Sequence, residues 1–444
     1  MKTFIQDKHQ EQAIKSLQRI IRIPSYLQEG IPGAPFGQDI LECLQETVAL
    51  FKEEGFETFI DPEGYYGYAE IGEGSEIFGI LCHLDVVPAG AESLWKTPAY
   101  EGTIKDGVIY GRGVLDDKGP TIASLYAVKS LVEAGVSFNK KIRFIFGTDE
   151  ENLWRCMERY HQKEVPIDLG IAPDAKFPLI FAEKGLMQVY LTGPGSSEVT
   201  VTGGGALNVV PDRGTYNGKQ VAELSESLTN LGYEFTVANQ ELTVTGQAIH
   251  SKNAHLGVNA ITRLAEGLSK ITSEPVFEFL GQRVGSDGNG VSTIGLFEDE
   301  VSGKLTFNVA TLEVNELETK IGIDIRMPVT TNKEEVVLKL QAVAQEFGLT
   351  YHEHDYIASL YVPKDSELVT SLLGAYRDMT GDMAEPQISG GATFARTMPN
   401  CVAFGAGFDY TKDTIHQANE EWQLTEMRLA MEIYAEAIYR LCIN

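Results

Sequence analysis

Cysteine is scarce in this chain, and so is positive charge. Its five cysteines (Cys43, Cys82, Cys156, Cys401 and Cys442) are scattered, with no Cys-x-x-Cys pair. That spacing argues against a disulfide framework or a thiolate zinc site and fits buried thiols in a reducing compartment. Lysine and arginine number 36 against 63 acidic residues, a net charge of −27. Such an excess repels phosphate backbones and anionic lipid, so nucleic acid and membrane surfaces are not expected as partners. No apolar run approaches the roughly 20 residues that span a bilayer. Met1 to Arg22 mixes charges throughout, with Ile14, Leu17, Ile20 and Ile21 at amphipathic-helix spacing, unlike a secretory signal. A cytoplasmic protein is expected.

What remains is a globular composition, 43% hydrophobic and 22% charged over 444 residues, long enough for two or three domains. The first part reads as α/β. Gln38 to Glu54 and Pro120 to Ala134 have helical patterns, while Phe56 to Ile60, Tyr68 to Ile71, Phe78 to Cys82, Lys141 to Phe146 and Asp168 to Ala172 read as strands. Composition then shifts. Period-2 strands at Met187 to Thr192, Leu242 to Thr245, Lys304 to Thr311 and Ile321 to Ile325 alternate with two helices, Val258 to Lys270 and Lys333 to Phe347. A helix near Ser366 to Thr380, a strand Cys401 to Phe404 and a last amphipathic helix restore the α/β character. The expected fold is a mixed-sheet, doubly wound α/β domain of residues 1–183 and 363–444, with an α+β lid domain inserted at 184–362.

Chemistry gathers at strand ends. The run Ile80-Leu81-Cys82 stops at His83, with Asp85 two residues on and therefore on the same side of an extended chain. Lys141 to Phe146 leads into Asp149-Glu150-Glu151, and Asp168 to Ala172 into Pro173-Asp174. The turn Gly111 to Gly119 carries Asp116-Asp117, and His416 returns late in the chain. In open α/β sheets such groups meet outside the carboxyl ends of the strands. Histidines and carboxylates without thiolates suit Zn²⁺, Mn²⁺ or Co²⁺. His9, His161, His255, His352 and His354 sit in polar contexts and read as solvated surface.

The segments His83-Leu84-Asp85, Gly111 to Gly119, Asp149-Glu150-Glu151, Pro173-Asp174 and Ile415-His416-Gln417-Ala418-Asn419-Glu420 together resemble the M20 metallopeptidases, nearest the dinuclear-zinc dipeptidases of the PepV type. The likeness extends over nearly the whole chain. It implies two divalent cations, zinc first with manganese or cobalt as alternatives. His83 and Asp174 would hold one, Glu151 and His416 the other, with Asp116 bridging both ahead of a peptide bond that is often cis in such enzymes. It implies Glu150 as general base for a water shared by the metals, and Asp85 as the partner that fixes the His83 tautomer. In the inserted domain His250, within Gly246 to Ser251, would stabilise the oxyanion, and Asn208 and Arg326 would hold substrate, Arg326 by its C-terminal carboxylate. An ion pair of Arg326 with Asp324 or a neighbouring acid is the plainer alternative for that arginine. The Gly390-Gly391-Ala392-Thr393 turn would add backbone donors, with Asp117 anchoring the substrate's amino group. The implied function is a dipeptidase acting as a monomer on small peptides with a free N-terminus. An N-acyl-amino-acid deacylase or desuccinylase of the same chemistry, or a non-catalytic peptide binder, are the alternatives.

Overall fold

A computed structural model describes residues 4–443. The chain divides into two compact units. The first runs up to Phe181 and resumes at Val362–Ile388 and from Ala392; the second comprises Ala182–Tyr361 and Ser389–Gly391.

The first unit is built on a mixed sheet. Its strands lie in the order Glu57–Ile60, Gly67–Ile71, Lys141–Gly147, Ile77–His83, Leu169–Ala172, Cys401–Ala403 and Ile180–Glu183. The four strands from Lys141–Gly147 to Cys401–Ala403 run parallel, and the outer pairings are antiparallel. Every residue of Ile77–His83 is buried. That is why its sequence is a continuous apolar run: a central parallel strand is covered on both faces. Alternation along Lys141–Gly147 shows the two layers. Phe144 and Phe146 turn to one face, where each ring lies 4.8 Å from Phe51 of helix Gln38–Glu53. Arg143 turns to the other, where its Nη1 donates to Tyr160 Oη at 2.8 Å, on helix Arg155–Lys163. Phe51 is fully buried, so truncating it to alanine would cost about 3–5 kcal/mol. Helix Lys118–Glu133 is buried almost all round between strand Ile77–His83 and helices Asp7–Ile21 and Leu424–Cys442. It starts at Lys118, two residues before the proline that the sequence marks.

The second unit holds an eight-stranded, wholly antiparallel sheet. Its order is Phe235–Ala238, Glu241–Thr245, Arg213–Gly218, Val199–Gly204, Thr306–Val314, Glu318–Met327, Gly185–Pro194 and Thr350–Ile357. Met187, Val189 and Leu191 enter the core while Gln188, Tyr190 and Thr192 lie on the other face. More helices than the two expected close that core: Val221–Leu231, Ala260–Leu268 and Lys333–Glu346 contribute Leu224, Leu264 and Leu340, and the short helices Pro275–Glu278 and Val291–Ile294 add Phe277 and Ile294. Asn259 caps the second, accepting the N–H groups of Ile261 and Thr262, and Asn332 caps the third through Glu335. Among the described residues no helix is long and apolar enough to cross a membrane.

One histidine departs from its expected surface position. His9 is buried: its Nδ1 accepts the Gln6 N–H, and its Nε2 lies 3.1 Å from Glu133.

Candidate metal centre

Three neighbouring parallel strands deliver the first residues. His83 is the last residue of its strand, opposite Gly147, and Glu150 and Glu151 follow that neighbour's end. Asp174 follows the end of Leu169–Ala172 on the other side. The Gly111–Lys118 turn brings Asp116 over the same strand ends, and the peptide bond after it is cis. His416 completes the set from a loop in which it and Asn419 both have positive φ.

Asp116 lies between the two imidazoles. Its Oδ1 is 2.9 Å from His83 Nε2, and its Oδ2 is 3.0 Å from His416 Nε2. Asp174 Oδ2 lies 3.7 Å from His83 Nε2, and Glu151 lies 3.1 Å from His416 Nε2. Two groups result, His83–Asp116–Asp174 and Asp116–Glu151–His416, each with donor atoms within 4.8 Å of one another. His83 Nδ1 lies 2.9 Å from the Asp85 carbonyl. A proton held there by the carbonyl leaves the Nε2 lone pair facing Asp116 and Asp174, the tautomer a ligand requires.

The electrostatics of the cluster call for positive charge. Burial, aided by the charge of Asp116, pushes Asp174 up to about 7. Burial and the charge of Asp174 push Glu150 well above its ordinary value. Burial also works to raise Asp116, but His416 and His83 hold it well below the usual carboxylate range. Hydrogen bonds to Asp116 and Glu151 push His416 up to about 10. Burial opposes the protonation of His83, yet Asp116 and Asp174 raise it well above its usual value. Crowded carboxylates therefore hold protons on the imidazoles and on each other. Divalent cations relieve that conflict, since they displace imidazole protons and neutralise the acids. The donor set of imidazole nitrogens and carboxylate oxygens fits zinc, manganese or cobalt. Cys82, buried and with its Sγ turned to the Ile80 carbonyl, takes no part.

Two expected contacts in this unit differ in detail. The group nearest His83 Nδ1 is the Asp85 carbonyl, and the Asp85 carboxylate stands further off, its Oδ1 3.7 Å from that nitrogen. That carboxylate is fully buried and accepts the N–H of Glu150 at 3.1 Å and of Glu151 at 3.0 Å, fixing the turn that carries both. Asp117 does not face a substrate. It is fully buried, its Oδ2 accepting the His83 N–H at 3.1 Å, because it begins helix Lys118–Glu133 and so points back under the strand end.

The remaining candidates fall in the second unit. His250 Nδ1 accepts the Lys252 N–H at 3.1 Å, so the neutral ring carries its proton on Nε2. Burial, with the charges of Arg326 and Lys252, lowers its pKa. Asn208 is exposed, and its carbonyl accepts the Ser251 N–H beside His250. Arg326 is buried and engaged: Nε and Nη2 donate to Asp324 at 2.7 and 3.0 Å, and Nη1 donates to the Gly390 carbonyl at 2.9 Å. The plainer ion-pair reading is the one observed, since residues two apart on a strand share a face. The Gly391 N–H donates to Ser389 Oγ at 2.9 Å.

Sequence reading passed over two features. Glu420, fully buried, accepts N–H groups from Gly113, Leu115 and Asp116 and the Arg112 guanidinium. A cavity of about 790 Å³ lies among Tyr26, Trp95 and Tyr100. Glu420 stands inside the quoted His416 segment, but nothing local points to partners some 300 positions away.

A profile of Peptidase family M20/M25/M40 matches residues 79–440. A Staphylococcus epidermidis protein named "Putative dipeptidase" is 34% identical over 98% of both chains. "Putative dipeptidase YtjP" of Bacillus subtilis is also 34% identical, again over 98% of each. The solved dipeptidase Dug1p of Saccharomyces cerevisiae superposes with a TM-score of 0.61 at 16% identity, covering 98% of this chain and 96% of its own. The chain belongs to peptidase family M20/M25/M40.

Proposed function

We propose that this M20 peptidase is a two-metal dipeptidase that hydrolyses small peptides with a free N-terminus. One observation carries the reading: Asp116 offers one carboxylate oxygen to each of two His–carboxylate groups at the carboxyl ends of parallel strands, with Glu150 on the adjoining turn. The dipeptide class is supported by the names of relatives 34% identical over nearly their full length.

His83, Asp116 and Asp174 would hold one cation, and Asp116, Glu151 and His416 the other. When bound, such cations supply the positive charge that stabilises the oxyanion of amide hydrolysis. Glu150 takes a proton from the attacking water as its oxygen adds to the scissile carbonyl carbon. It then delivers that proton to the amine nitrogen as the carbon–nitrogen bond breaks. Asp85 keeps Glu150 in position by holding its backbone N–H. His250, neutral and protonated on Nε2, is suited to donate to the oxyanion, and Asn208 to hold substrate. Arg326 is assigned the support of the His250–Ser251 turn and Gly390 rather than the grip on a carboxylate. Zinc is the assigned metal, and the protein is read as a cytoplasmic monomer. Five buried free cysteines fit that compartment.

The test is a hydrolysis panel of dipeptides, tripeptides and N-acylated amino acids, run with Zn²⁺, Mn²⁺ or Co²⁺ after chelation. Cleavage confined to dipeptides is expected. Release of amino acids from acylated substrates, with dipeptides left intact, would reject the assignment.

A further inference from the structure

Two of the segments that carry candidate ligands are joined by one buried carboxylate. Glu420 is fully buried, and both its oxygens are used. Oε1 accepts the N–H of Gly113 at 3.1 Å, of Leu115 at 2.9 Å and of Asp116 at 3.3 Å. Oε2 accepts the Gly113 N–H at 3.1 Å and Arg112 Nη1 at 2.6 Å. The Gly111 N–H in turn donates to the Glu420 carbonyl at 3.0 Å. So four of the six backbone N–H groups from Gly111 to Asp116 donate to one residue, four positions after His416, while the Arg112 N–H goes to the Ala99 carbonyl.

The His416 segment is itself pinned. His416 and Asn419 sit at φ +63° and +64°, a region costly for residues with a Cβ. Asn419 Oδ1 accepts the Lys96 N–H at 2.7 Å, and its Nδ2 donates to the Leu94 carbonyl at 2.9 Å. Arg112, whose charge offsets Glu420, has its guanidinium carbon 5.5 Å from the Trp95 ring centre. The strained loop is thus clamped by two successive residues after His416, Asn419 on the Leu94–Lys96 segment and Glu420 on the Asp116 turn.

We propose that Glu420, backed by Arg112, is a positioning residue that couples the two cation sites by fixing Asp116 relative to His416. The inference rests on the reading that these groups hold cations. Asp116 belongs to both groups and His416 to one, so loosening Glu420 weakens both sites together. A glutamine keeps the size but offers one acceptor oxygen, and its amide NH₂ faces donors. Outer partners of this kind are typically worth 10- to 100-fold in metal affinity.

The experiment is calorimetric titration of the chelated full-length chain with Zn²⁺, wild type against Glu420→Gln. Wild type should take up two equivalents, and the variant should bind both at least about tenfold more weakly. Urea unfolding of the two chelated proteins measures the stability lost with the buried Arg112–Glu420 pair, and the titrations are run where circular dichroism shows both proteins folded, which separates positioning from general destabilisation. Where circular dichroism shows Glu420→Gln unfolded, Arg112→Lys carries the same comparison, because it keeps the charge and loses the guanidinium's fixed direction. Unchanged affinity at both sites, or weakening at only one, overturns the coupling. Fewer than two equivalents in wild type overturns the cation reading itself, along with the inference.

Discussion

Replacing Asp85 with asparagine isolates the turn that carries Glu150 and Glu151. The carboxylate is fully buried and accepts both backbone N–H groups, one on each oxygen. Asparagine keeps the shape but has one acceptor, so one of the two N–H groups faces an NH₂. A hydrogen bond to a charged group contributes about 1.5–3 kcal/mol. If the turn must reform that geometry for catalysis, the loss corresponds to about 10- to 150-fold in kcat. KM should change little, because Asp85 touches no substrate. The assay is steady-state hydrolysis of a good dipeptide, with zinc affinity measured alongside. Affinity should fall most for the site that includes Glu151, whose N–H the carboxylate holds directly. An Asp85→Asn enzyme with wild-type kcat would refute the claim that this carboxylate sets the Glu150 turn.

Three other outcomes are expected. Glu150→Gln should lower kcat by about 10²- to 10⁴-fold, the range of a general base, while both cations still bind by mass spectrometry of the native protein. Arg326→Met should destabilise the fold by about 3–5 kcal/mol in urea unfolding, since it leaves the Asp324 charge buried without its partner. If Arg326 instead gripped a substrate carboxylate, the variant would keep its stability and lose preference for free over amidated C-termini. For His250, the lowered pKa means that the unfolded chain takes its proton first as pH falls. That destabilising contribution is absent at pH 8 and grows as pH drops through 6.5. The urea midpoint of wild type should therefore fall between pH 8 and pH 5.5 by more than that of His250→Gln.

Much of the candidate site was legible because chemistry and strand endings coincide. A strand buried on both faces must be apolar along its length, so the stop at His83, or at Ala172 before Pro173-Asp174, stands out. Helix Lys118–Glu133 was readable for the same reason. Helix Arg155–Lys163 was not: it is short, polar on one side, and buries only Cys156, Met157 and Tyr160. Strands Val199–Gly204 and Arg213–Gly218 were hidden by glycine and threonine, which also mark loops. Long-range polar contacts left no trace at all. His9 sits between Lys8 and Gln10 and meets Glu133 far along the chain, and Glu420 meets Arg112 in the same way. Asp117 misled because it adjoins Asp116, whereas the helix it begins turns it to the opposite side.

The central claim is that one carboxylate, Asp116, serves two cations. The most direct measurement is metal content after equilibrium dialysis against micromolar zinc, wild type beside Asp116→Ala. Two zinc ions per chain in wild type and none tightly held in the variant is the predicted result. A wild-type chain with one ion or none, or an Asp116→Ala chain that keeps two, would contradict it.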